Sequence, residues 1–331
     1  MRRRSALLVL AALLAAVANA AALAQTSIRH RPVNLVETDP NEIRIGALTF
    51  MGGLQLASDD TSFGGLSGLV VTPDGRRLHA VTDNGHWFTA LLGYDGAERL
   101  NAVAGGLLEP FLAPDGKPVA GKANGDAEAL AVAPDGAMVV AFERRHRIWR
   151  YGPGQAFRSQ RPQALQTPPG LEAAPPNGGI EAMAYLDDGS LFAIAEDLRD
   201  ANGDFQAWIM RGLDADHLGL VQVEGYRPSD AARLPDGDIL LLERRFQRIG
   251  GFGARLSRIA KDDIRPGTRL RGKEIARFER PYVAENFEGV AVTLDPSLPD
   301  TWRVYLVSDD NFHPMQRTLL LMFRMRSEAG R

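Results

Sequence analysis

Apolar and polar positions along this chain alternate in short blocks, and the blocks are punctuated by Asp-Gly. The clearest case has two apolar runs, Ala129 to Ala133 and Met138 to Phe142, separated by Pro134-Asp135-Gly136 and Ala137 and followed by Glu143-Arg144-Arg145. Short apolar runs on both sides of Asp-Gly read as the two strands of a β-hairpin. With a two-residue loop, Pro134 opposes Ala137, and Glu128 opposes Glu143 at the open end. Like charges facing each other across a sheet are unfavourable. Such a pair is expected to need a cation, an arginine, a shared proton or water beside it.

The block recurs. Gly179 to Asp197 repeats it without a gap around Asp188-Gly189, which places Glu181 opposite Glu196. Ser229-Asp230 leads through Pro235-Asp236-Gly237 to Glu243-Arg244-Arg245, pairing Asp230 with Glu243. Gly64 to Asp74-Gly75 leads to Val81-Thr82-Asp83-Asn84, and Phe287-Glu288 leads through a longer turn to Asp309-Asp310-Asn311. Five copies at intervals of roughly 50 to 60 residues, each with several strands, read as the blades of a β-propeller. The second copy yields four strands, the last within Gln155 to Leu165. The final copy yields three, ending in Thr318 to Met325, and the strand-like segment Ile43 to Leu56 supplies its missing fourth. The fold expected is all-β: a single propeller of five four-stranded blades, closed by an N-terminal strand in the C-terminal blade. Six blades remain compatible with one further divergent repeat.

Within this frame residues 43–331 form the propeller domain and 25–42, polar with Pro32 and Pro40, an N-terminal arm. Residues 1–24 read as a signal peptide: Arg2-Arg3-Arg4, an apolar run from Leu7 to Val17, and Ala22-Leu23-Ala24 as an A-x-A cleavage site. The expected location is periplasmic or secreted, with no stable membrane insertion after cleavage. Arg3-Arg4-Ser5-Ala6-Leu7 matches the twin-arginine pattern only loosely, so the general secretory route is expected. Gln166 to Gly179, rich in Pro and Gly, reads as an inter-blade loop.

Composition removes several function classes. The absence of cysteine excludes disulfides, thiolate metal sites and a cysteine nucleophile. A net charge of −3 without a basic face argues against nucleic acid as a partner. No H-E-x-x-H, P-loop or dinucleotide fingerprint occurs, and Ser67 lacks the context of a nucleophile elbow.

The acids are what remains. In a propeller the starts of the innermost strands and the ends of the second strands lie at one end of the channel. Glu128, Glu143, Glu181, Glu196, Asp230, Glu243, Glu288, Asp309 and Asp83 therefore gather on one face. Ser67 and Ser229 stand where the other copies have Glu. Glu143 and Glu243, each followed by Arg, equally suit a structural tie between blades. Hard divalent cations take oxygen ligands, so Asp83, Asn84, Glu128, Glu181, Glu288 and Asp309 are candidate ligands for Ca²⁺ or a similar ion. Glu128, Glu181, Glu196, Glu288 and His86 are candidate acids and bases. Arg144, Arg244, Arg245 and His313 are candidates for binding an anionic substrate.

Phe63-Gly64-Gly65-Leu66-Ser67-Gly68, Gly125-Asp126-Ala127-Glu128-Ala129-Leu130, Ile180-Glu181-Ala182-Met183, Ala195-Glu196-Asp197 and Asn286-Phe287-Glu288-Gly289-Val290 resemble the phytase-like domain of exported bacterial proteins. That family is described by an esterase-like activity of phytase, and the resemblance spans residues 43 to 325. It implies phosphoester hydrolysis at a site including Glu128, Glu181, Glu196 and Glu288. A more distant likeness to calcium-dependent β-propeller phytases implies a carboxylate-held calcium cluster. The expected function is metal-assisted hydrolysis of a small-molecule phosphate ester or diester. The alternatives are a lactonase or carboxylesterase, by fold analogy, and a non-catalytic calcium-dependent binding propeller.

Overall fold

A computed structural model describes residues 25–119 and 121–327; the signal-peptide segment lies outside them. Five antiparallel sheets stand around a central channel. Blade 1 consists of Leu66–Val71, Arg77–Thr82, His86–Tyr94 and Leu100–Pro110, and blade 2 of Ala127–Val132, Met138–Phe142, Arg147–Tyr151 and Gln163–Leu165. Blade 3 consists of Ile180–Tyr185, Leu191–Arg199, Phe205–Arg211 and Asp214–Leu220, with Arg269–Leu270 added in parallel at its outer edge. Blade 4 comprises Arg227–Arg233, Ile239–Gln247, Gly251–Ile259 and Lys273–Phe278. Blade 5 takes Phe287–Leu294, Thr301–Ser308 and Thr318–Arg326 from the C-terminal end of the chain and Leu48–Ser58 from the N-terminal end. The expected closure is what the structure shows: Leu320 opposes Leu54 and Met325 opposes Leu48. The segment read as a polar arm contributes one more strand, with Ile28–Pro32 pairing outside Leu48–Ser58.

Burial follows the same ring. Five hydrophobic clusters each fill one gap between neighbouring blades, from Phe88 and Leu320 between blades 1 and 5 to Leu242 and Phe323 between blades 4 and 5. Every blade therefore buries both faces, and the closed ring leaves no gap where that burial fails. With only five blades the inner strands converge tightly, which small residues permit. A Cβ on Gly68 would come within 2.7 Å of the Leu130 backbone nitrogen of the next blade, and Gly68 also has φ +55.

The hairpin register differs from the sequence expectation. The turn of blade 2 is a three-residue loop, Pro134-Asp135-Gly136, closed by Ala133 N–H donating to Ala137 O at 2.8 Å, with Gly136 at φ +83. Blades 3 and 4 turn in the same way, with Leu186 bonded to Ser190 and Leu234 to Asp238. This is the hairpin loop that places a left-handed glycine at its third position. The extra loop residue slides the register by one. A β-bulge on the inner strand then shifts it again: Ala127 pairs with Phe142, Ala129 with Ala141, and Glu128 has no direct partner. Glu181 bulges in the same way between Ile180 and Ala182. Glu128 facing Glu143 and Glu181 facing Glu196 are thus both corrected. Glu143 and Glu196 instead donate their backbone N–H groups to Asp126 O and Gly179 O. In blade 4 Asp230 pairs with Leu242, not Glu243.

Candidate functional site

All five inner hairpins carry a bulge near the start of the inner strand, at Gly68, Glu128, Glu181, Ser229 and Glu288. A bulge kinks the strand and re-aims the side chain of the unpaired residue. Three of the five bulge residues are glutamates, and all three reach one cavity of about 200 Å³ at the end of the channel. The second strands add the residues two positions past the bulge-facing pair. These are Glu143 in blade 2, Glu196 in blade 3, Arg244 in blade 4 and Asp309 in blade 5. Blade 1 contributes Asp83 from the loop after its second strand.

The register explains why Arg244 is in the site and Glu243 is not. Neighbouring residues on a strand point to opposite faces, so a one-residue slip exchanges them. Glu243 turns into blade 4, where it accepts from Ser257 Oγ at 2.8 Å and pairs with Arg255 at 2.9 Å. Asp230 also leaves the acid group. Fully buried, it accepts backbone N–H bonds from Val290 at 2.7 Å, Ala231 at 2.8 Å and Leu69 at 3.3 Å, tying blades 1, 4 and 5 together at the axis. Of the two serines, Ser67 donates to Glu128 Oε2 at 2.9 Å, and Ser229 bonds backbone at Phe287 O.

Eight carboxyl groups and two cations line the cavity: Asp83, Asp126, Glu128, Glu143, Glu181, Glu196, Glu288 and Asp309 against Lys122 and Arg244. Arg244 lies among three acids, 3.0 Å from Glu288, 3.2 Å from Glu196 and 3.7 Å from Glu181. Burial opposes its charge, but these carboxylates outweigh that cost and hold its pKa above the usual arginine range. Lys122 bridges Asp83 at 2.5 Å and Asp126 at 2.7 Å, and Arg144 reaches Asp126 from the rim at 2.5 Å.

Two lining cations, with Arg144 at the rim and Arg227 4.0 Å from Glu196, do not neutralise eight acids, and the raised pKa values of several carboxyls record the excess. Burial, then repulsion from Glu143 and Glu288, pushes Glu128 well above the carboxylate range. Glu181 is pushed well up by burial and Glu196, against the pull of Arg244. Glu143 rises to about 8, chiefly by burial, although the Gly179 N–H donates to it at 2.6 Å. Glu288 rises only to about 6, because Arg244 and the amide of Asn286 counter its burial. Asp309 is pushed well up by burial and by Glu288.

Two groups of acids meet the geometric demands of a cation site. Oxygens of Asp126, Glu128 and Glu143 lie within 4.8 Å of one another, as do those of Glu143, Glu181 and Glu196. Glu143 belongs to both. Glu181 Oε2 and Asp83 Oδ1 are buried without a hydrogen-bond partner, a costly state that a cation would relieve. The donors are all carboxylate oxygens, which suits a hard divalent ion.

Several sequence candidates fall elsewhere. Asn84 and His86 bond each other at 2.9 Å, and Asn84 also reaches Ser62 O, away from the cavity. Arg245 is held by Glu279 at 2.5 Å and stacks over Tyr226. His313 sits on an exposed loop. Sequence reasoning left Asp126, Lys122 and Asn177 out of the site, although they line the cavity. Asp126 had a signal, lying two residues before a repeated Glu. Lys122 had none: it comes from Lys122–Gly125, a single helical turn outside the repeat.

The sequence profile described as "Phytase-like: Esterase-like activity of phytase" matches residues 61–312. Among solved structures, the catalytic domain of a GH62 α-L-arabinofuranosidase from Coprinopsis cinerea superposes with a TM-score of 0.50 at 14% identity, covering 85% of this chain and 97% of that one. At that identity the likeness shows the fold alone. A PQQ-bound aldose sugar dehydrogenase from Streptomyces coelicolor (TM-score 0.43, 13% identity, 90% and 99% covered) and a gluconolactonase from Xanthomonas campestris (TM-score 0.40, 10% identity, 88% and 97% covered) are more remote. No functionally curated protein matches significantly.

Proposed function

The chain belongs to the phytase-like family, and on that premise we propose that it is an exported hydrolase of small phosphate esters or diesters, assisted by a divalent cation in the acid-lined cavity. The observation that carries this reading is the excess of carboxyl groups over cations in the cavity, with Glu181 Oε2 buried without a hydrogen-bond partner and only the Arg244 guanidinium near it at 3.7 Å. Asp126, Glu128 and Glu143, or Glu143, Glu181 and Glu196, would hold the ion, with Ca²⁺ the expected occupant. When bound, it supplies the positive charge that an anionic phosphoryl group needs to enter such a site.

The remaining groups divide the proton work. Carboxyls whose pKa values are pushed apart mark an acid and a base. Glu288, held near 6 beside Arg244, is ionised at neutral pH and takes a proton from the attacking water. Asp309, whose pKa burial and Glu288 push well up, is the acid of the pair and gives its proton to the leaving alcohol oxygen as the P–O bond breaks. Arg244 keeps Glu288 ionised and, at the cavity wall, faces the phosphoryl oxygens.

The signal peptide read over residues 1–24 would deliver the chain to the periplasm or beyond. Among the described residues no helix is long and apolar enough to cross a membrane. The test is a panel of phosphomonoesters, phosphodiesters, carboxylesters and lactones, assayed with Ca²⁺ and with chelator. Calcium-dependent release of phosphate, abolished by Glu181→Gln, is the expected result. Turnover of lactones or carboxylesters alone would move the assignment to those substrates. No turnover of any ester under either condition would refute the hydrolase reading.

A further inference from the structure

Beside the cavity, the loop after the second strand of blade 5 adopts an unusual backbone. Asn311 and Phe312 are consecutive non-glycine residues at φ +49. Left-handed backbone is unfavourable for side chains with a Cβ, and persists only where the surroundings impose it. Here they do. Asp309 accepts from Asn311 N–H at 2.6 Å, and Asp310 accepts from Phe312 N–H at 3.1 Å and Gly65 N–H at 3.2 Å. Thr318 Oγ1 donates to the other Asp310 oxygen at 2.9 Å, and the Asn311 amide donates to Gln316 at 2.9 Å.

What this backbone presents is the Phe312 ring. One side packs on Gly64-Gly65. A Cβ on Gly64 would lie 3.0 Å from the ring, and one on Gly65 would lie 2.8 Å from it. The same Cβ on Gly65 would also lie 2.1 Å from Asp83 Oδ1. The ring edge and the unpaired Asp83 oxygen thus abut one small space over Gly65, and Asp83 lines the cavity. Phe312 is 45% exposed, so an apolar face stands beside the acidic cavity that its neighbour Asn311 and Asp83 line. Core packing does not call for this placement, since Phe312 belongs to none of the five interior clusters.

We propose that Phe312 determines substrate specificity: it is a platform for the organic group of the ester, and selects substrates whose alcohol carries an aromatic or bulky apolar group beside the phosphoryl centre. This rests on the hydrolase reading and narrows its substrate class away from polyol phosphates. An aromatic ring stacks or packs edge-on against another with a contribution that translates into a few-fold to tenfold effect.

The experiment compares benzyl phosphate with methyl phosphate, whose leaving alcohols are of similar acidity and differ in the ring. Wild type, Phe312→Ala and Phe312→Tyr are assayed by phosphate release. The expected result is a benzyl-to-methyl ratio of kcat/KM that falls roughly three- to tenfold in Phe312→Ala and is restored in Phe312→Tyr. Equal losses on both substrates would mean a merely structural ring and overturn the proposal, as would an unchanged ratio. If wild type hydrolyses neither ester, the wider ester panel decides the hydrolase reading, and binding of benzylphosphonate against methylphosphonate decides the platform. Tighter benzylphosphonate binding that is lost in Phe312→Ala would uphold it, and equal affinities would overturn it.

Discussion

If the acid cavity takes a divalent cation, its affinity must depend on pH in a way the structure sets. Glu143 is shared by both candidate ligand groups and has a pKa of about 8. A ligating carboxyl must give up its proton. Each pH unit below 8 therefore costs the ion about 1.4 kcal/mol, or tenfold in apparent Kd, for that one proton. From pH 8 to about pH 6 the affinity should fall roughly a hundredfold, and the raised pKa values of Glu128 and Glu181 would steepen the fall. The assay is thermal unfolding with Ca²⁺ fixed at about a hundred times the Kd measured at pH 8. Stabilisation there is about 2.7 kcal/mol, and at about pH 6 the same concentration gives only about 0.4 kcal/mol. For about 300 residues with an unfolding entropy of about 2.1 cal/mol/K each, the Tm rise should be about 4 °C at pH 8 and about 0.6 °C at pH 6. Glu143→Gln removes the shared ligand but keeps an oxygen for the Gly179 N–H, so it should fold and show no rise at either pH. An equal rise at both pH values would refute proton competition. A Tm indifferent to millimolar Ca²⁺, Mg²⁺, Mn²⁺ and chelator would refute the cation site.

Three further outcomes are expected. Without metal, Glu143 is protonated in the folded state up to about pH 8 but ionises near 4.5 when unfolded; stability is therefore full below 4.5 and is lost as pH rises to 8, by up to about 1.4 kcal/mol per unit. Urea midpoints in chelator should fall over that range, and Glu143→Gln should flatten the slope. Arg244→Met leaves Glu181, Glu196 and Glu288 without their common partner and should cost about 3 kcal/mol or more near neutral pH; denaturant unfolding that shows no loss would mean the guanidinium is not the counter-charge. Deleting residues 317–331 removes the strand between Thr301–Ser308 and Leu48–Ser58 and exposes two edges, so light scattering should show aggregation; a soluble, cooperatively unfolding truncation would contradict the ring closure.

Much of this architecture was legible in the order of residues. Asp-Gly between apolar runs is a local signal, since the turn glycine must adopt a left-handed backbone that the chain itself dictates. Four such signals and a fifth copy with a longer turn, at blade spacing, set the blade number, and a three-stranded last repeat called for a strand from the other end of the chain. The acid-rich end of the channel followed from the same periodicity.

Most of the cavity acids and Arg244 were legible as residues of one face, but which residues pair, and which acids leave the site, depends on register. Blades 2, 3 and 4 share one loop length and one bulge, so Arg244 falls where Glu143 and Glu196 do, whereas a two-residue loop would pair Glu243 with Asp230. The crowding of neighbouring inner strands, as where Gly68 meets Leu130, exists only once the ring has closed. Lys122 and Phe312 lie outside the repeat, so no periodicity could assign them to the cavity wall and its lip. Asp230 looks in the sequence like one more member of the acid group; only the assembled ring adds the Val290 and Leu69 N–H groups to that of its neighbour Ala231 and turns its carboxylate into a tie between blades. Strand order and turns are set by short-range chemistry that each repeat carries with it. Which acid meets which cation is set by contacts between blades distant in sequence, and those arise only in the folded ring.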